Sequence, residues 1–546
     1  MKKKLVTLFL AMAVTVSSLV GCGQEQTKGN VSETESNQVT EISQAAEELP
    51  NFNEEGYPIV NEEITLKVLL GIRDSDNMVH PDEMPAIQRL EELTGINLEW
   101  EVVKTIDWNT KLNLMMASKE YPDIILSPNN AVDFEEYGVV QQILMPLDEL
   151  IDKYMPSYTE RIAMEENDPT INLVASDGQT YSVGYMYNGA FILENNYFIN
   201  QVWLDALKLE MPKNVEQLTD VLRAFKTQDP NGNGEADEIP LSTTLNNYTG
   251  IPQYLAWFGV PCNTLNYLYI DNDKQVQFVP FQDGFRECME WAHTCYDEGL
   301  MDIEVLSQDN KTMYTKMNNG LVGFGSLYNI NSNIVAEARE WYSLYIPDEN
   351  TMMYRNYSFA KPAAYITVAN EHPEATMRLF EAMIEKEMQY SMFAGEQVAN
   401  LSGWKYNDNG LIESYTEEGY EAPTVLTALN VNTLFFAPTE YFKESYALKL
   451  GHALKFGYDD EYVAAGVVQD YSWRFFELVK FTPEQNEQRA LVETEIKNVV
   501  SEYMATFIKD GVTDEKWNTF HKILNDMGAD EYVKMYQDGI DALNID

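Results

Sequence analysis

The sequence predicts an α/β protein that folds into at least two lobes. A chain of 546 residues is longer than one hydrophobic core usually organises. Between residues 64 and 126, apolar runs of strand length alternate with amphipathic helical patterns, which is typical of a largely parallel sheet. Hydrophobic residues make up 45% and charged residues 23% of the chain, as in ordinary globular proteins. Roughly the last hundred residues have a helical pattern, so we also expect a helical C-terminal region.

The first 21 residues predict a lipoprotein signal peptide. Three lysines at positions 2–4 precede an apolar stretch, 5–20, that is shorter than the ~20 residues needed to span a bilayer. The stretch is followed by Gly21 and Cys22, and the sequence LVGC resembles the bacterial lipobox, a signal that is cut before a cysteine whose thiol is acylated. We expect Cys22 to carry the lipid that tethers the protein to the extracellular face of the cell membrane. The alternative is a plain signal peptide followed by a chance cysteine.

Residues 22–57 predict a flexible tether. This segment is polar, rich in Glu, Ser, Gln and Asn, and has no periodic apolar face. No later segment is long and apolar enough to suggest a membrane span. The lipid anchor is therefore the membrane contact that we expect.

The regular elements of the first predicted lobe follow the tether. Each is indicated by its hydrophobic period or by a terminating residue such as Gly95, which should end the first helix. The predicted elements are a strand at 64–70, a helix at 84–94, a strand at 97–103, a helix at 107–120 and a short strand within 122–126.

The second predicted lobe contains a further series of strands and helices. These are a strand at 197–200, helices at 201–209, 215–228 and 285–300, and strands at 320–326 and 343–347. A β-rich run at 362–370 and a long helix at 372–388 come next. The sequence contains no internal repeat past the tether.

Charge and cysteine content exclude several classes of protein. A formal net charge of −50 at pH 7 repels nucleic acid, so we expect no such partner. The five histidines are scattered and form no zinc-binding pattern. Past Cys22, the odd number of cysteines precludes a complete disulfide framework. Cys288 and Cys295 lie about 10 Å apart along a predicted helix, which is too far for a disulfide, so we expect both to be buried and free.

Several sequence blocks, taken together, resemble one family. They are ASKEYPDII, MPLDELIDKYMPSY, DGQTYSVGY, the segment that runs from WLDALKLEM to ADEIPL, and a tail that begins IKNVVSEYMATF. In this order they resemble the lipoprotein extracellular solute-binding proteins of ABC importers, of the large carbohydrate-binding type. The resemblance runs from about Glu62 to Leu543.

The resemblance implies a two-lobe, periplasmic-binding-protein-like fold of type II with hinge crossovers. A solute would bind in the cleft between the lobes, close them, and pass to a membrane permease. By analogy, the first lobe would comprise 58–183 plus 363–395 and the second 184–362 plus 396–546. The crossovers would be 179–185 and 361–369. We expect the protein to be a monomer.

The segment DPNGNGEADEIP, 229–240, predicts a structural calcium site. Oxygen-bearing groups alternate with glycine as in an EF-hand loop, and Gly234 stands where a tight turn needs positive φ. Pro240 replaces the closing glutamate, so a switching EF-hand is not expected. The resembling family has a calcium site with this pattern, which implies ligands from six residues: Asp229, Asn231, Asn233, Glu235 through its carbonyl, Asp237 and Glu238. The alternative is a metal-free Asn-Gly turn.

Candidate ligand-binding residues follow the predicted strands, because ligands of open α/β sheets bind beyond the carboxyl ends of strands. The residues placed there, or delivered by the crossover, are Arg73, Asp74, Ser127, Asn129, Asn130, Tyr185, Tyr187, Tyr328 and Asn329. The resemblance adds Trp257 and Trp404, since tryptophans near such places stack on sugar rings in that family. The alternative for each residue is an ordinary loop or hinge position.

The sequence therefore predicts a binding protein rather than an enzyme. No GxSxG element or Cys/His pairing is present, and abundant carboxylates alone do not indicate a glycoside hydrolase. We expect no catalytic residues, an oligosaccharide as ligand, and ABC permease subunits as partners. A peptide or amino-acid ligand is the main alternative, with Arg73 pairing its carboxylate. A secreted glycoside hydrolase is the alternative from another class.

Overall fold

The computed structural model of the protein describes residues 51–74, 79–165, 168–187, 193, 195–246, 249–261, 266–348, 351–354, 359–395, 402–416, 433–447, 450–469 and 473–543. The predicted signal peptide, Cys22 and nearly all of the predicted tether lie outside these residues.

The strands have the following bounds in chain order. They are β1 Ile64–Ile72, β2 Ile96–Lys104, β3 Ile124–Leu126, β4 Val183–Tyr187, β5 Asn196–Asn200, β6 Ile239–Leu241, β7 Leu268–Ile270, β8 Val276–Phe278, β9 Val322–Leu327, β10 Tyr342–Tyr345, β11 Met353–Tyr354, β12 Lys361–Ile366, β13 Ser402–Tyr406, β14 Ile412–Thr416, β15 Phe436–Ala437 and β16 Val468–Gln469.

The α-helices have the following bounds. They are α1 Pro85–Thr94, α2 Thr105–Ser118, α3 Asp148–Tyr154, α4 Pro156–Ile162, α5 Gln201–Leu207, α6 Val215–Thr227, α7 Asp283–Asp297, α8 Asn310–Asn318, α9 Ile330–Asn333, α10 Ala336–Arg339, α11 Pro373–Ile384, α12 Lys386–Ala394, α13 Thr439–Ser445, α14 Leu450–Ala464, α15 Pro483–Asp510, α16 Asp514–Asp526 and α17 Ala529–Leu543. Short 3₁₀ turns and one π-helical segment, Glu135–Val140, connect them.

A six-stranded sheet, here called the first sheet, has the order β15-β4-β12-β3-β1-β2. Strands β1, β2 and β3 pair in parallel, as do β4 and β15. Strand β12 is antiparallel to both of its neighbours. The predicted β-α-β-α-β order and the largely parallel pairing are therefore confirmed. The carboxyl ends of five strands, and the start of β12, lie at one edge of this sheet.

The first sheet is buried on both faces because its strands alternate apolar side chains between two clusters. Leu66, Val68 and Leu70 belong to one cluster, which we call the first core, and Leu69 belongs to the cluster on the opposite face. Helix α1 ends at Gly95, whose φ of 75° is left-handed, as the sequence predicted.

A four-stranded sheet, here called the second sheet, has the order β10-β5-β9-β6. Strand β5 is antiparallel to β9 and β10, whereas β6 and β9 are parallel. Its main hydrophobic cluster, the second core, contains helix α7 and the buried faces of α15, α16 and α17. The helical C-terminal region is thus confirmed, and it packs on the second sheet.

The described parts of 402–456, a stretch that the sequence assigns to the second lobe, contribute several residues to the first core. Trp404, Ile412, Phe436 and Phe456 are all members of that cluster. The sequence also predicts a glycine-rich loop around Trp404, and this is wrong, because β13 and β14 pair there as an antiparallel hairpin. The lobe boundaries themselves stay a prediction.

The cysteine predictions are confirmed where the structure describes them. Cys288 and Cys295 are both free and fully buried on α7, and burial raises the pKa of the Cys295 thiol to about 12. Cys262 lies outside the described residues. Among the helices within the described ranges, none has the length and hydropathy of a membrane-crossing segment.

Candidate ligand-binding site

The carboxyl edge of the first sheet brings together Arg73, at the end of β1, and Tyr185, in β4. Burial raises the pKa of the Tyr185 phenol above its ordinary value, and the nearby positive charge of Arg73 opposes this shift. The Tyr185 hydroxyl is buried and has no hydrogen-bond partner among the described residues. The phenol therefore stays protonated and can donate to a ligand oxygen. Lys361 begins β12 opposite Tyr185 and places a further cation at this edge.

The loop after β3 reaches the same edge. The Ser127 N–H donates to the Ala363 carbonyl at 2.7 Å, and its fully buried hydroxyl donates to the Asn130 carbonyl at 3.2 Å. Asn130 accepts a 2.5 Å hydrogen bond from the Thr105 hydroxyl, while its buried Nδ2 has no partner among the described residues. Asn129 is exposed at the tip of the turn. Ser127 thus shapes the loop, and Asn129 and Asn130 supply its polar groups.

Glycine at position 71 allows this loop to approach β1 closely. A Cβ atom there would lie 2.5 Å from the Ser127 hydroxyl and 2.6 Å from Asn130 Nδ2. Asp74, two residues beyond β1, is exposed and accepts a 3.0 Å hydrogen bond from the Ile106 N–H at the start of α2. Asp74 therefore fixes the start of a helix beside the edge.

Tyr328 and Asn329 follow β9 at the carboxyl edge of the second sheet. Tyr328 is half-buried and packs against the first core, so it joins the two sheets. The Lys455 ammonium lies 5.5 Å from the centroid of its ring. Asn329 is buried, and its carbonyl accepts a 3.0 Å hydrogen bond from Asn333. Lys455 was missed by sequence reasoning because nothing local distinguishes it from a surface lysine.

Trp257 lies inside the second core rather than on an open loop. It is 5% exposed, and its ring centroid lies 4.9 Å from that of Tyr197 and 5.9 Å from that of Tyr345, the last residue of β10. Its indole N–H is buried with no acceptor among the described residues. Trp257 thus sits in the core below the carboxyl edge of the second sheet.

Trp404 and Tyr187 complete the predicted set. Trp404 is 8% exposed, and its indole N–H donates to the Ser391 hydroxyl at 2.8 Å. These contacts lie on α12 and the β13-β14 hairpin rather than at a strand end. Tyr187 ends β4 opposite Ala437 of β15, and its side chain lies outside the described residues.

The segment 229–240 is folded as a tight loop around Asp229. The Asp229 carboxylate accepts hydrogen bonds from the Asn233 and Gly234 N–H groups at 3.1 and 3.0 Å. The Asn231 and Asn233 side-chain amides both donate to Asp237, at 3.0 and 3.1 Å. Gly234 has a φ of 80°, as the predicted turn requires. The positive ends of amide dipoles therefore lie against the carboxylates of this loop.

The environment of the Glu238 carboxylate bears on whether this loop can hold a cation. One of its carboxylate oxygens is buried without a partner among the described residues. Burial is the main cause that raises the Glu238 pKa, and the charges of Asp237 and Asp229 add to it. Within the described ranges, no three His, Cys, Asp or Glu side chains are close enough to form a metal-binding group by themselves. The donor set fits calcium through carboxylate, amide and backbone oxygens together.

Two cavities lie away from the strand ends. One, of about 610 Å³, is lined by Lys67, Glu101 and Met115 beside the middle of β1 and β2. The other, of about 370 Å³, is lined by Arg489, Asn525 and Tyr532 between helices of the C-terminal region. Neither contains a residue of the predicted ligand-binding set.

Comparisons with known proteins give a family match over most of both sheets. Residues 85–400 match the family model described as bacterial extracellular solute-binding protein. The fructooligosaccharide ABC transporter substrate-binding protein FusA of Streptococcus pneumoniae serotype 4 is 28% identical over 490 residues, which cover 84% of this chain and 86% of FusA. Lipoprotein LipO of Bacillus subtilis is 24% identical over 233 residues, 42% of this chain and 43% of LipO.

Solved structures show the same fold. FusA in complex with kestose has a TM-score of 0.72 at 24% identity, with 88% of this chain and 99% of FusA covered. An EF-hand mutant of FusA in complex with fructo-nystose has a TM-score of 0.71 at the same identity and coverage. An HMO-binding, ABC-transporter-associated solute-binding protein from Bifidobacterium longum infantis has a TM-score of 0.73 at 19% identity, covering 89% of this chain and all of that protein. The α/β architecture with two lobes and a helical C-terminal region is therefore shared with these proteins.

Proposed function

Because the chain belongs to the bacterial extracellular solute-binding proteins, we propose that it captures an oligosaccharide outside the cell and delivers it intact to an ABC permease. The observation that carries this proposal is the match to FusA, which extends over 84% of the chain. FusA itself is a fructooligosaccharide-binding protein, so a short fructose-containing sugar is the first ligand to test. We propose that the protein acts as a monomer.

The strand ends offer the chemistry that a sugar needs. Sugars present flat C–H faces, which aromatic rings contact, and rims of hydroxyl groups, which polar side chains hydrogen bond. We propose that Arg73, Asn129, Tyr185 and Tyr328 contact the ligand, since all four lie at the carboxyl edges and together offer a cation, an amide, a buried hydroxyl and ring surface. Tyr187 would add a second ring from the crossover.

The remaining predicted residues would act around these contacts. Asp74, Ser127 and Asn329 would hold the loops that carry them, through the hydrogen bonds described above. We also propose that Trp257 and Trp404 contribute ring surface to the ligand, with Trp257 offering its buried N–H as a donor. These assignments stay predictions until binding is measured.

Lobe closure would make binding selective. We propose a first lobe of 58–183 plus 363–395 and a second lobe of 184–362 plus 396–546. The described parts of 402–456 contribute to the first core, so we propose that they belong to the hinge between the lobes. A ligand that contacts both lobes only in the closed state shifts the equilibrium towards closure. The permease would then recognise the closed form.

We propose two further properties, a lipid anchor on Cys22 and a structural calcium site. The lipobox-like sequence supports the anchor, as does the similarity to LipO, a lipoprotein. The oxygen donors of the 229–240 loop support the calcium site, and the similarity to FusA, for which an EF-hand mutant exists, adds to this. Asp229, Asn231, Asn233, the Glu235 carbonyl, Asp237 and Glu238 would hold the ion, which would neutralise the gathered carboxylates.

Calorimetric titration tests the proposed function. The purified protein is titrated with kestose, fructo-nystose, a panel of other neutral and acidic oligosaccharides, and short peptides. We expect saturable binding of an oligosaccharide, and chromatography of the ligand recovered after denaturation should show it unchanged. Recovery of shortened sugars would indicate a hydrolase, and binding of peptides alone would support the alternative ligand class.

Replacement of Tyr328 by alanine should weaken binding of the sugar found in this screen by about tenfold, because a stacked ring and its hydroxyl are lost. Tyr57→Ala is the matched control, since Tyr57 is a 37% exposed tyrosine whose hydroxyl donates to Glu385, away from the carboxyl edges. Calorimetry should show unchanged affinity for the control. Equal affinities for both variants and the native protein would remove Tyr328 from the site.

A further inference from the structure

Helix α14 contacts the hydrophobic cores of both sheets. Phe456, at the middle of the helix, belongs to the first core, whereas Tyr462, less than two turns later, is fully buried in the second core. Tyr458 lies between them and packs edge-to-face on Phe198 of β5, with ring centroids 5.5 Å apart. Since an α-helix is a rigid element over this length, α14 links the two sheets at a fixed spacing.

A buried ion pair lies at the middle of this helix. Lys455 is 1% exposed and Asp459 is fully buried, one helical turn apart, and the Lys455 nitrogen lies 3.7 Å from an Asp459 oxygen. Such a pair does not by itself indicate stability, because the desolvation of both charges offsets much of their attraction. Its place in the fold suggests another role.

Both charged groups bind the segment that crosses from β4 to β5. The Lys455 ammonium donates to the Leu193 carbonyl at 2.9 Å and to the Asn196 side-chain oxygen at 3.0 Å. The Asn196 side-chain amide donates in turn to Asp459 at 3.1 Å. The Tyr462 hydroxyl accepts from the Tyr197 N–H at 3.0 Å, so contacts from about two turns of α14 hold the start of β5 against the helix.

The same ammonium group lies beside the proposed ligand-contacting ring. Lys455 is 5.5 Å from the Tyr328 centroid, and Leu327, the preceding residue, pairs with Asn196 in the second sheet. A lysine placed near an aromatic ring in a buried setting is attracted by the ring face. Lys455 therefore contacts the crossover on one side and Tyr328 on the other.

We propose that Lys455 and Asp459 are positioning residues that form a pivot between the lobes. The pair fixes Leu193 and Asn196, at the start of β5, to α14 and holds Tyr328 at the carboxyl edge of the second sheet. Motion of the lobes would then be a rotation about this point rather than an unconstrained separation. The effect of the pivot on the ligand-free protein does not depend on the proposed function. The ligand-driven closure that the pivot would guide does rest on that function.

The test replaces the pair without leaving a lone buried charge. The pivot variant is Lys455→Met with Asp459→Asn. The matched control is Lys316→Met with Asp302→Asn, which removes an ion pair of 2.7 Å between α8 and the loop after α7. Two exposed glutamates, Glu92 on α1 in the first lobe and Glu216 on α6 in the second, are replaced by amino acids with keto side chains. A nitroxide label is then attached to each keto group. Double electron–electron resonance then gives the interlobe distance distribution of the ligand-free protein.

We expect the distribution to be at least twofold wider in the pivot variant and unchanged in the control. Equal widths in the pivot variant and the native protein would overturn the proposal, even if both variants melt at lower temperature. If the pivot variant does not fold, amide hydrogen exchange of the native protein decides. The amides of 196–199 and 458–462 should then be among the slowest to exchange, and exchange as fast as in exposed loops would contradict a pivot.

No sugar is needed for these measurements. A failed titration would remove the proposed function and leave the pivot standing if the distance distributions differ as expected. Saturable sugar binding, together with equal interlobe distance distributions in the pivot variant and the native protein, would support the proposed function and remove the pivot. The two proposals therefore fail separately.

Discussion

Replacement of Trp257 by alanine should lower the free energy of unfolding of the second lobe by about 3–5 kcal/mol. The indole is 5% exposed, and its ring centroid lies 4.8 Å from that of Tyr254 and 5.6 Å from that of Trp291. The large rings around Trp257 can move little into the space that the indole leaves, so most of that volume should remain an empty cavity. Calorimetric melting should show a midpoint lower by roughly 6–20 °C for the transition of this lobe.

Two further variants separate packing from ligand contact at this position. Trp341 is half-buried, so Trp341→Ala should lower the stability by less than Trp257→Ala does. Trp257→Phe keeps most of the ring and removes the N–H that has no described acceptor. If Trp257 contacts the ligand, the phenylalanine variant should lose sugar affinity while its melting stays near that of the native protein. A stability loss below about 1 kcal/mol for Trp257→Ala would contradict the packing described here.

Calcium should raise the melting temperature of the protein, and Asp229→Ala should abolish this effect. A ligand at one hundred times its dissociation constant stabilises the folded state by about 2.7 kcal/mol when it binds only that state. Asp271→Ala is the matched control, because the Asp271 carboxylate also accepts two backbone hydrogen bonds in an exposed turn, from Asp273 and Gln275. Melting followed with added calcium and with a chelator measures both variants. Identical curves in calcium and chelator for the native protein would contradict the site.

The pH dependence of this stabilisation has a defined sign. The pKa of Glu238 is raised in the calcium-free protein, so folding favours its protonated form and Glu238 destabilises the folded state once it ionises. A cation needs the ionised carboxylate and competes with the proton. The calcium-induced shift in melting should therefore be full at neutral pH and decline as the pH falls through the raised pKa of Glu238.

The first sheet was predictable because its signals are local. Strand β2 alternates buried and exposed side chains, β1 is buried without interruption from Val68 to Ile72, and helix α1 ends at a glycine, so pattern and terminator agree. The hairpin around Trp404 was not predictable, since glycine and asparagine near a tryptophan favour a loop. The burial of Trp404 depends on packing against α12, which the local pattern does not show. Two-residue strands such as β15 carry no periodic signal at all.

The candidate site was predictable in part for a related reason. The rule that ligands bind beyond the carboxyl ends of strands brings together Arg73 and Tyr185, which lie near enough for the charge of Arg73 to lower the pKa of the Tyr185 phenol. The rule says nothing about Lys455 and Asp459, because they lie on a helix more than two hundred and fifty residues from the crossover that they bind. Pairings over such separations depend on the complete fold.

Small-angle X-ray scattering of the ligand-free and sugar-loaded protein tests the central claim most directly. The claim is that two lobes close on an oligosaccharide and hold it without changing it. The account predicts a smaller radius of gyration with saturating sugar, at unchanged molecular mass, and reversal when the sugar is dialysed away. A radius of gyration that stays the same while calorimetry shows the sugar bound would contradict it.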